Sequence, residues 1–283
     1  MYNKLQQDGF VIIDVIDKKE VQYLNDLCKK YLKTEQQDFI SGSHFLSKEE
    51  NVFINQELHQ IVKPITTKLF PELELLGGTL ATKMKGKTTL KAHNDWNIVD
   101  EKRFNSYNLW LSLVDTDKNN GTLGLIPNSH LWQHGHRGFG IPGNFEQYTR
   151  HLIPLSIEPN LKAGQAILYN HKLIHFSRSN TTNQPRNVAI IGMKDRGAPL
   201  QISLSTDGKY IETYGANQSD FYGFNIENIK KNQLLTREEI PQKQLSFKQI
   251  SDAYYQHLSK EFKSEIQLSF IDKIRLFYAN LFG

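Results

Sequence analysis

The stretch YNLWLSLVDTDKNNGTLGLI, residues 107–126, contains two short β-rich runs separated by a turn. The first run extends from Tyr107 to Val114 and the second from Thr122 to Ile126, and Asp, Asn and Gly residues lie between them. Similar runs occur at 79–84, 88–93, 152–157, 166–170 and 187–193, and two more at 200–204 and 210–214. Many short strands joined by such turns predict a mainly β protein, either a sandwich or a double-sheet jelly roll.

The segment before these runs has helical signals after one short strand, Phe10–Ile13. Asp17-Lys18-Lys19-Glu20 and Ser47-Lys48-Glu49-Glu50 both resemble helix starts. A third helix is expected over Leu58–Leu69, where Pro64 would kink or split it.

The region after about residue 221 again has apolar residues at helical spacing, in two groups at 253–266 and 271–281. We therefore expect one domain over residues 1–283. Its predicted parts are an N-terminal helical layer at 1–74, a jelly-roll core at 75–214 and a C-terminal helical extension at 215–283.

Four residues in the β-rich region could form a reaction centre: His93 and Asp95 in the run Lys91–Asp95, then His175 and Arg186. A His-x-Asp pair on an extended strand places both side chains on one face, because side chains alternate with period two. Two imidazoles and one carboxylate are the ligand set of non-haem Fe(II) oxygenases, and leave the other metal positions open. Arg186 would supply a guanidinium fork that holds a carboxylate with two hydrogen bonds.

Further motifs accompany these residues: Asp8–Ile12, the tryptophan-bearing run Tyr107–Leu113, Asn119–His130 with its Asn-Gly-x-Leu turn, Ala163–Tyr169 and His175–Arg186. Together they resemble the phytanoyl-CoA dioxygenase family of Fe(II)/2-oxoglutarate oxygenases over residues 5 to about 193. Two residues depart from the family pattern, since Asn128 replaces a usual glycine and Gln165 a usual aspartate.

The resemblance implies a double-stranded β-helix core of the cupin-like type, with Fe(II) as the metal, 2-oxoglutarate as co-substrate and O2 as oxidant. It places the metal on His93, Asp95 and His175 and the co-substrate on Arg186. Ser177 and Trp110 would also contact 2-oxoglutarate, although Trp110 is almost as well explained as a core aromatic. The implied reaction hydroxylates, desaturates or cyclises an unactivated C–H and releases succinate and CO2.

The substrate is expected to be a small polar metabolite, such as an amino-acid-like or natural-product intermediate. Asn97 and Arg137 are the candidate substrate contacts, and Arg137 suits a carboxylate or phosphate but is equally well explained as a solvated charge. An acyl group on CoA or a carrier protein is the alternative substrate. A non-catalytic metal-binding ligand sensor and a zinc hydrolase are the alternatives of other classes, because His, His and Asp also suit zinc.

Other histidines need a separate interpretation. His134 and His136 have the spacing of a second metal pair but lack further partners, so we expect them to be loop or substrate-contact residues. His171 precedes His175 by four residues and is a competing ligand candidate.

Composition excludes several classes of protein. A net charge of +4, with lysines scattered among acids, is too mild to indicate nucleic-acid binding. No apolar stretch is long enough for a membrane span, and the N-terminus lacks the apolar core of a secretory signal. With Cys28 as the single cysteine, no internal disulfide can form, which fits a cytoplasmic location. We expect a small-molecule substrate as the partner and consider a homodimer through the C-terminal aromatic stripes.

Overall fold

A computed structural model of the chain describes residues 1–32, 37–132, 134–221, 224–241 and 246–257. The described helices are α1 (Tyr2–Asp8), α2 (Lys18–Tyr31), α3 (Gly42–Phe45), α4 (Lys48–Leu69), α5 (Thr149–Leu152), α6 (Ile226–Ile229) and α7 (Phe247–His257). The strands are β1 (Phe10–Asp14), β2 (Phe39–Ser41), β3 (Leu73–Lys83), β4 (Leu90–His93), β5 (Ser106–Ser112), β6 (Leu123–Leu125), β7 (Gln165–Asn170), β8 (His175–Ser177), β9 (Arg186–Asp195), β10 (Leu200–Leu204), β11 (Tyr210–Ala216) and β12 (Leu234–Glu239).

The strands form three antiparallel sheets. A large sheet has the order β1-β7-β5-β9-β3-β2, a small sheet has the order β4-β8-β6, and β10-β11-β12 form the third. The mainly β jelly-roll prediction is therefore confirmed, with helices flanking the large sheet.

Each face of the large sheet packs on a different layer, because neighbouring side chains on a strand point to opposite faces. On one face Leu109 of β5 and Leu168 of β7 pack with Leu24 and Leu58 of the helices. On the other face Trp110, one residue further along β5, belongs to a cluster that includes Leu123, Leu125, Ile167 and Val188 from three other strands. The space between the two sheets, where the site lies, is thus enclosed by apolar side chains.

The two predicted helix starts are both capping boxes. The side chain of Asp17 accepts from the backbone N–H of Glu20 at 3.0 Å, and that of Ser47 accepts from the N–H of Glu50 at 3.2 Å. The helix that begins after Ser47 continues to Leu69 with Pro64 inside it, so the predicted division into two helices is wrong. Burial of its Leu58 and Val62 in the core stabilises the helix through the proline.

Other sequence predictions need correction. The predicted strand at 152–157 is instead the end of α5 followed by a 3-10 turn over Ile153–Leu155, in which Pro154 is the second residue. Strands β2 and β12 were not expected, and β12 interrupts the extension that was predicted to be helical. Strands β1 and β2, from the predicted helical layer, form the two edges of the large sheet.

The single-domain assignment over 1–283, with its divisions after 74 and 214, stays a prediction. In the C-terminal region, α7 overlaps the first predicted helix, whereas residues 258–266 and the second helix at 271–281 lie outside the described residues. Among the described helices, none combines the length and apolar character that a membrane span requires.

Candidate metal and co-substrate site

Two histidines face each other across the small sheet. His93 ends β4, His175 begins β8, and the two are cross-strand partners whose ring centroids lie 4.3 Å apart. The Nδ1 of His93 lies 2.6 Å from the carbonyl oxygen of Lys91, and the Nδ1 of His175 lies 3.0 Å from that of Leu173. Because a carbonyl only accepts, each Nδ1 carries the proton and each Nε2 keeps its lone pair for a metal.

Asp95 completes the cluster from the loop that follows β4. Its Oδ1 lies 3.9 Å from the Nε2 of His175, and its Oδ2 accepts a hydrogen bond from the Asn108 amide at 2.8 Å. One ligand atom from each of His93, Asp95 and His175 lies within 4.8 Å of the other two. Three donors at this spacing can hold one metal ion on one face.

The electrostatics of the cluster suit a divalent cation. Burial alone would raise the pKa of Asp95, but the imidazoles of His175, His171 and His93 and the amide of Asn108 lower it to about 2. Burial, together with the neighbouring His93 ring, lowers the pKa of His175 to about 4. At neutral pH Asp95 is therefore ionised and His175 neutral, which is the state that metal ligation requires.

A pair of buried cations, Lys83 at the end of β3 and Arg186 at the start of β9, lies between the large and small sheets. Arg186 is 2% exposed and Lys83 is fully buried, and they are cross-strand partners on β9 and β3. The guanidinium carbon of Arg186 lies 5.2 Å from the centroid of the Trp110 ring, and its Nη1 donates to the Gly121 carbonyl at 3.0 Å. The Nε of Arg186 has no hydrogen-bond partner among the described residues.

Lys83 and Arg186 together form a cationic cradle. The Nζ of Lys83 donates to the Ser177 hydroxyl at 2.6 Å and to the Arg178 carbonyl at 2.8 Å. Burial and the nearby Arg186 lower the pKa of Lys83 to about 7, and burial lowers that of Arg186 to about 9. Within the described part of the chain neither cation has a carboxylate partner. Buried unpaired cations are costly, so the cradle fits an anionic ligand.

The structure thus brings together the three predicted metal ligands, and separately groups Arg186, Ser177 and Trp110. Lys83 was missed by sequence reasoning. It stands in a stretch with Lys85 and Lys87, and no sequence signal separates a buried lysine from surface ones.

The two predicted substrate contacts are engaged with other protein groups. The guanidinium of Arg137 donates to both carboxylate oxygens of Glu101, at 2.9 and 2.5 Å, and to the backbone carbonyl of Asp95 at 2.6 Å. The Oδ1 of Asn97 accepts from the backbone N–H of Arg137 at 2.7 Å. Substrate contact by Asn97 and Arg137 stays a prediction, and the geometry gives both a role in the loop that carries Asp95.

The remaining histidines do not join the metal cluster of the described residues. The ring of His171 faces the Ser106 hydroxyl at 3.0 Å. His134 hydrogen-bonds the carbonyl of Ser129 at 2.7 Å, while His136 lies 3.5 Å from a Glu238 carboxylate oxygen. The choice of His175 over His171 as a ligand stays a prediction, which this placement supports, and neither His134 nor His136 belongs to a group of three candidate ligands among the described residues.

One departure from the family pattern has a conformational reason. Asn128 has φ +63° and is the single non-glycine residue with positive φ in the described chain. A glycine would adopt this left-handed conformation freely, and asparagine is among the residues that tolerate it best. Its side chain also donates to the Gln7 carbonyl at 2.9 Å, which ties the turn to α1.

Comparison with known proteins gives one family. The family model described as phytanoyl-CoA dioxygenase (PhyH) matches residues 5–188, more than half of the chain. Dioxygenase FUM3 of Gibberella moniliformis is 26% identical over 123 residues, which are 40% of this chain and 36% of that protein. The chain therefore spans little more than a third of the length of this curated relative.

Several solved structures share the fold. The epimerase SnoN, solved with Fe3+, alpha ketoglutarate and nogalamycin RO, has a TM-score of 0.53 and 18% identity over 70% of this chain and 83% of its own. EvdO2 from Micromonospora carbonacea var. aurantiaca, complexed with 2-oxoglutarate, has a TM-score of 0.51 and 17% identity over 68% of this chain and 89% of its own. The matching family model, which covers strands β1 to β8 and the His93–Asp95–His175 cluster, shows that this chain belongs to the phytanoyl-CoA dioxygenase family of iron- and 2-oxoglutarate-dependent oxygenases.

Proposed function

We propose that this oxygenase oxidises an unactivated C–H bond of a small-molecule substrate, with His93, Asp95 and His175 as the iron ligands. The observation that carries this proposal is the facing pair of Nε2 atoms beside an ionised carboxylate. When iron and 2-oxoglutarate are bound, they supply O2-dependent oxidation with release of succinate and CO2. Because Asp95 fills the carboxylate position, hydroxylation is the expected outcome, with desaturation and cyclisation as its variants.

The protein's own residues hold and orient the reactants. Arg186 and Lys83 would bind the distal carboxylate of 2-oxoglutarate, and Ser177 would add a hydroxyl hydrogen bond. Trp110 covers the guanidinium of Arg186 and keeps water away from it. Excluding water strengthens the attraction between carboxylate and cations, because the local dielectric constant is low.

For the substrate we propose a small metabolite, in the class of amino-acid-like compounds or natural-product intermediates. Because Arg137 is paired with Glu101, a substrate anion at Arg137 would have to compete with this carboxylate. One aromatic side chain of the Asp95 loop is available instead: Trp96, which directly follows Asp95 in sequence, is 37% exposed and lies 5.3 Å from the Phe224 ring. This side chain would suit a substrate with an apolar face.

An acyl group on CoA or a carrier protein remains the alternative substrate, in keeping with the family's name. Release of succinate should be measured with a panel of small molecules and with acyl thioesters. Turnover with thioesters alone would replace the proposed substrate class.

The test of the site itself is an anaerobic titration with Fe(II) and then 2-oxoglutarate, followed by visible absorption. A weak metal-to-ligand charge-transfer band that needs both additions supports the ligand and co-substrate assignments. A folded protein without the band favours a non-catalytic ligand sensor or a zinc hydrolase. Metal analysis of protein purified without added metal, with activity compared under air and nitrogen, separates these two.

A further inference from the structure

The three metal-ligand candidates are not held in position by the same kind of structure. His93 and His175 are both on strands and are cross-strand partners, so the hydrogen-bonded ladder of the small sheet sets their separation. Strand β4 ends at His93, and Asp95 therefore lies in a loop that no ladder positions. A carboxylate that must meet two fixed imidazoles needs another source of rigidity.

Three contacts supply it. The Asp95 N–H donates to the His171 carbonyl at 2.9 Å, and the Asp95 Oδ2 accepts from the Asn108 amide at 2.8 Å. The third contact is the side chain of Arg137, which comes from the long loop after β6. The Nε of Arg137 donates to the backbone carbonyl of Asp95 at 2.6 Å, so it holds the main chain and does not occupy the carboxylate. Its two terminal nitrogens grip the Glu101 carboxylate at 2.9 and 2.5 Å. Arg137 is buried and Glu101 nearly so, at 8% and 16% side-chain exposure, which makes this a desolvated ion pair.

Other hydrogen bonds join the two loops on both sides of this contact. The N–H of Asn97 donates to the Arg137 carbonyl at 3.3 Å, and the N–H of Arg137 donates to the Asn97 side chain at 2.7 Å. On the other side, the Asn94 amide lies 2.9 Å from the Nδ1 of His134. The neighbours of Asp95 in sequence are therefore fixed to the same loop that carries Arg137.

We propose that Arg137, with Glu101, is a positioning residue that sets the metal affinity of the site by holding the main chain of Asp95. The inference depends on the proposed role of Asp95 as an iron ligand. Only arginine can donate from Nε to a carbonyl while both terminal nitrogens bind one carboxylate, because its guanidinium is planar and rigid. Glu101 compensates the buried charge, so its removal should disturb the same contact less than loss of Arg137 does.

The test compares Arg137→Gln, Arg137→Lys and Glu101→Gln with the unaltered protein. The matched control is Arg178→Gln, because Arg178 makes a similar two-bond pair with Glu158, at 2.7 and 2.8 Å, and its side chain hydrogen-bonds none of the three ligands. Dissociation constants for Fe(II), and for Ni(II) as an oxygen-stable probe, are measured anaerobically. The melting temperature of each metal-free protein is recorded alongside.

Loss of a group that orients a metal ligand typically weakens metal binding by about 10- to 100-fold. We expect this loss for Arg137→Gln, a similar loss for Arg137→Lys, a smaller one for Glu101→Gln and no change for Arg178→Gln. Metal affinity that stays at the unaltered level in both Arg137 variants, whatever their melting temperatures, would overturn the proposal. Should Arg137→Gln fail to fold, Arg137→Lys and Glu101→Gln decide the matter. A failure of the unaltered protein to bind either metal would instead refute the proposed function.

Discussion

Replacing Arg186 with methionine should separate co-substrate binding from the stability of the fold. Methionine keeps an unbranched side chain against Trp110 but removes the charge and all donors. Arg186 is 2% exposed as a whole residue, and its Nε lacks a partner among the described residues. Its Nη1 makes a hydrogen bond of 3.0 Å to the Gly121 carbonyl. Few protein contacts are thus lost, while the cation that would meet the 2-oxoglutarate carboxylate disappears.

The expected changes in stability and in 2-oxoglutarate affinity follow from the electrostatics of Arg186. Burial lowers the pKa of Arg186 from 12.5 to about 9. At about 1.4 kcal/mol for each pKa unit, the fold opposes this charge by about 5 kcal/mol. The lost hydrogen bond to Gly121 offsets about 1 kcal/mol of that relief. The metal-free, co-substrate-free variant should therefore be at least as stable as the unaltered protein. Removing one partner of a buried, hydrogen-bonded charge pair costs about 2–5 kcal/mol, so 2-oxoglutarate should bind at least about 30-fold more weakly.

The assay is thermal unfolding of the Ni(II)-loaded protein at increasing 2-oxoglutarate concentration. A ligand at 100 times its dissociation constant stabilises the folded state by about 2.7 kcal/mol, which is readily measured as a shift in melting temperature. Arg186→Met should lose most of this shift, because binding that is about 30-fold weaker leaves about 0.9 kcal/mol at the same concentration. Arg186→Lys, which keeps charge without the fork, should keep more of it. A full shift in Arg186→Met would move the carboxylate site elsewhere. A large fall in the stability of its ligand-free form would make Arg186 a structural residue.

Three further predictions concern the same site. Lys83 has a pKa of about 7 in the fold and 10.5 ordinarily, so between these pH values the unfolded chain binds the extra proton and the ligand-free fold should gain stability as pH rises. Binding of 2-oxoglutarate, which would need the charged amine, should weaken over the same range, and calorimetry should find this trend absent in Lys83→Met. Asp95→Ala should abolish the charge-transfer band with Fe(II) and 2-oxoglutarate while circular dichroism stays unchanged; a normal band would refute the ligand assignment. Gly121→Ala should lower the free energy of unfolding by about 2 kcal/mol in a denaturant titration, because φ of Gly121 is +83° and the added Cβ would lie 2.5 Å from the Arg178 carbonyl oxygen. Unchanged stability would mean that the turn relaxes freely.

The fold was largely predictable because its strands are short, apolar and separated by clear turns. Strand β5, with Leu109 and Trp110 on opposite faces, has both the pattern and the length of a buried strand. Errors arose where tertiary packing outweighs local preference. Pro64 argues for a helix break, yet the helix continues because its apolar face is buried. Strand β12 is exposed along its whole length, so it has no hydrophobic alternation by which to be found.

The site was predictable where chemistry requires a rare residue pattern and hidden where a common residue is used in an uncommon environment. His93, Asp95 and His175 are ordinary singly and specific together. Lys83 was missed because only burial gives it a role. Arg137 was named as a substrate contact, which stays a prediction, and sequence alone could not show that Glu101 lies within hydrogen-bond reach.

The metal ligands and the cations lie on different sheets, and this arrangement explains how their relative positions are set. The small sheet supplies both imidazoles, through the His93–His175 pair, and the large sheet supplies both cations, through the Lys83–Arg186 pair. Each pair is fixed by its own ladder, but nothing in a ladder fixes one sheet relative to the other. Ser177 of the small sheet accepts from Lys83 of the large sheet and so joins the two. A co-substrate that ligates the metal at one end and meets the cations at the other would span the same gap. Binding of 2-oxoglutarate should therefore stabilise the contact between the sheets as well as complete the reaction centre.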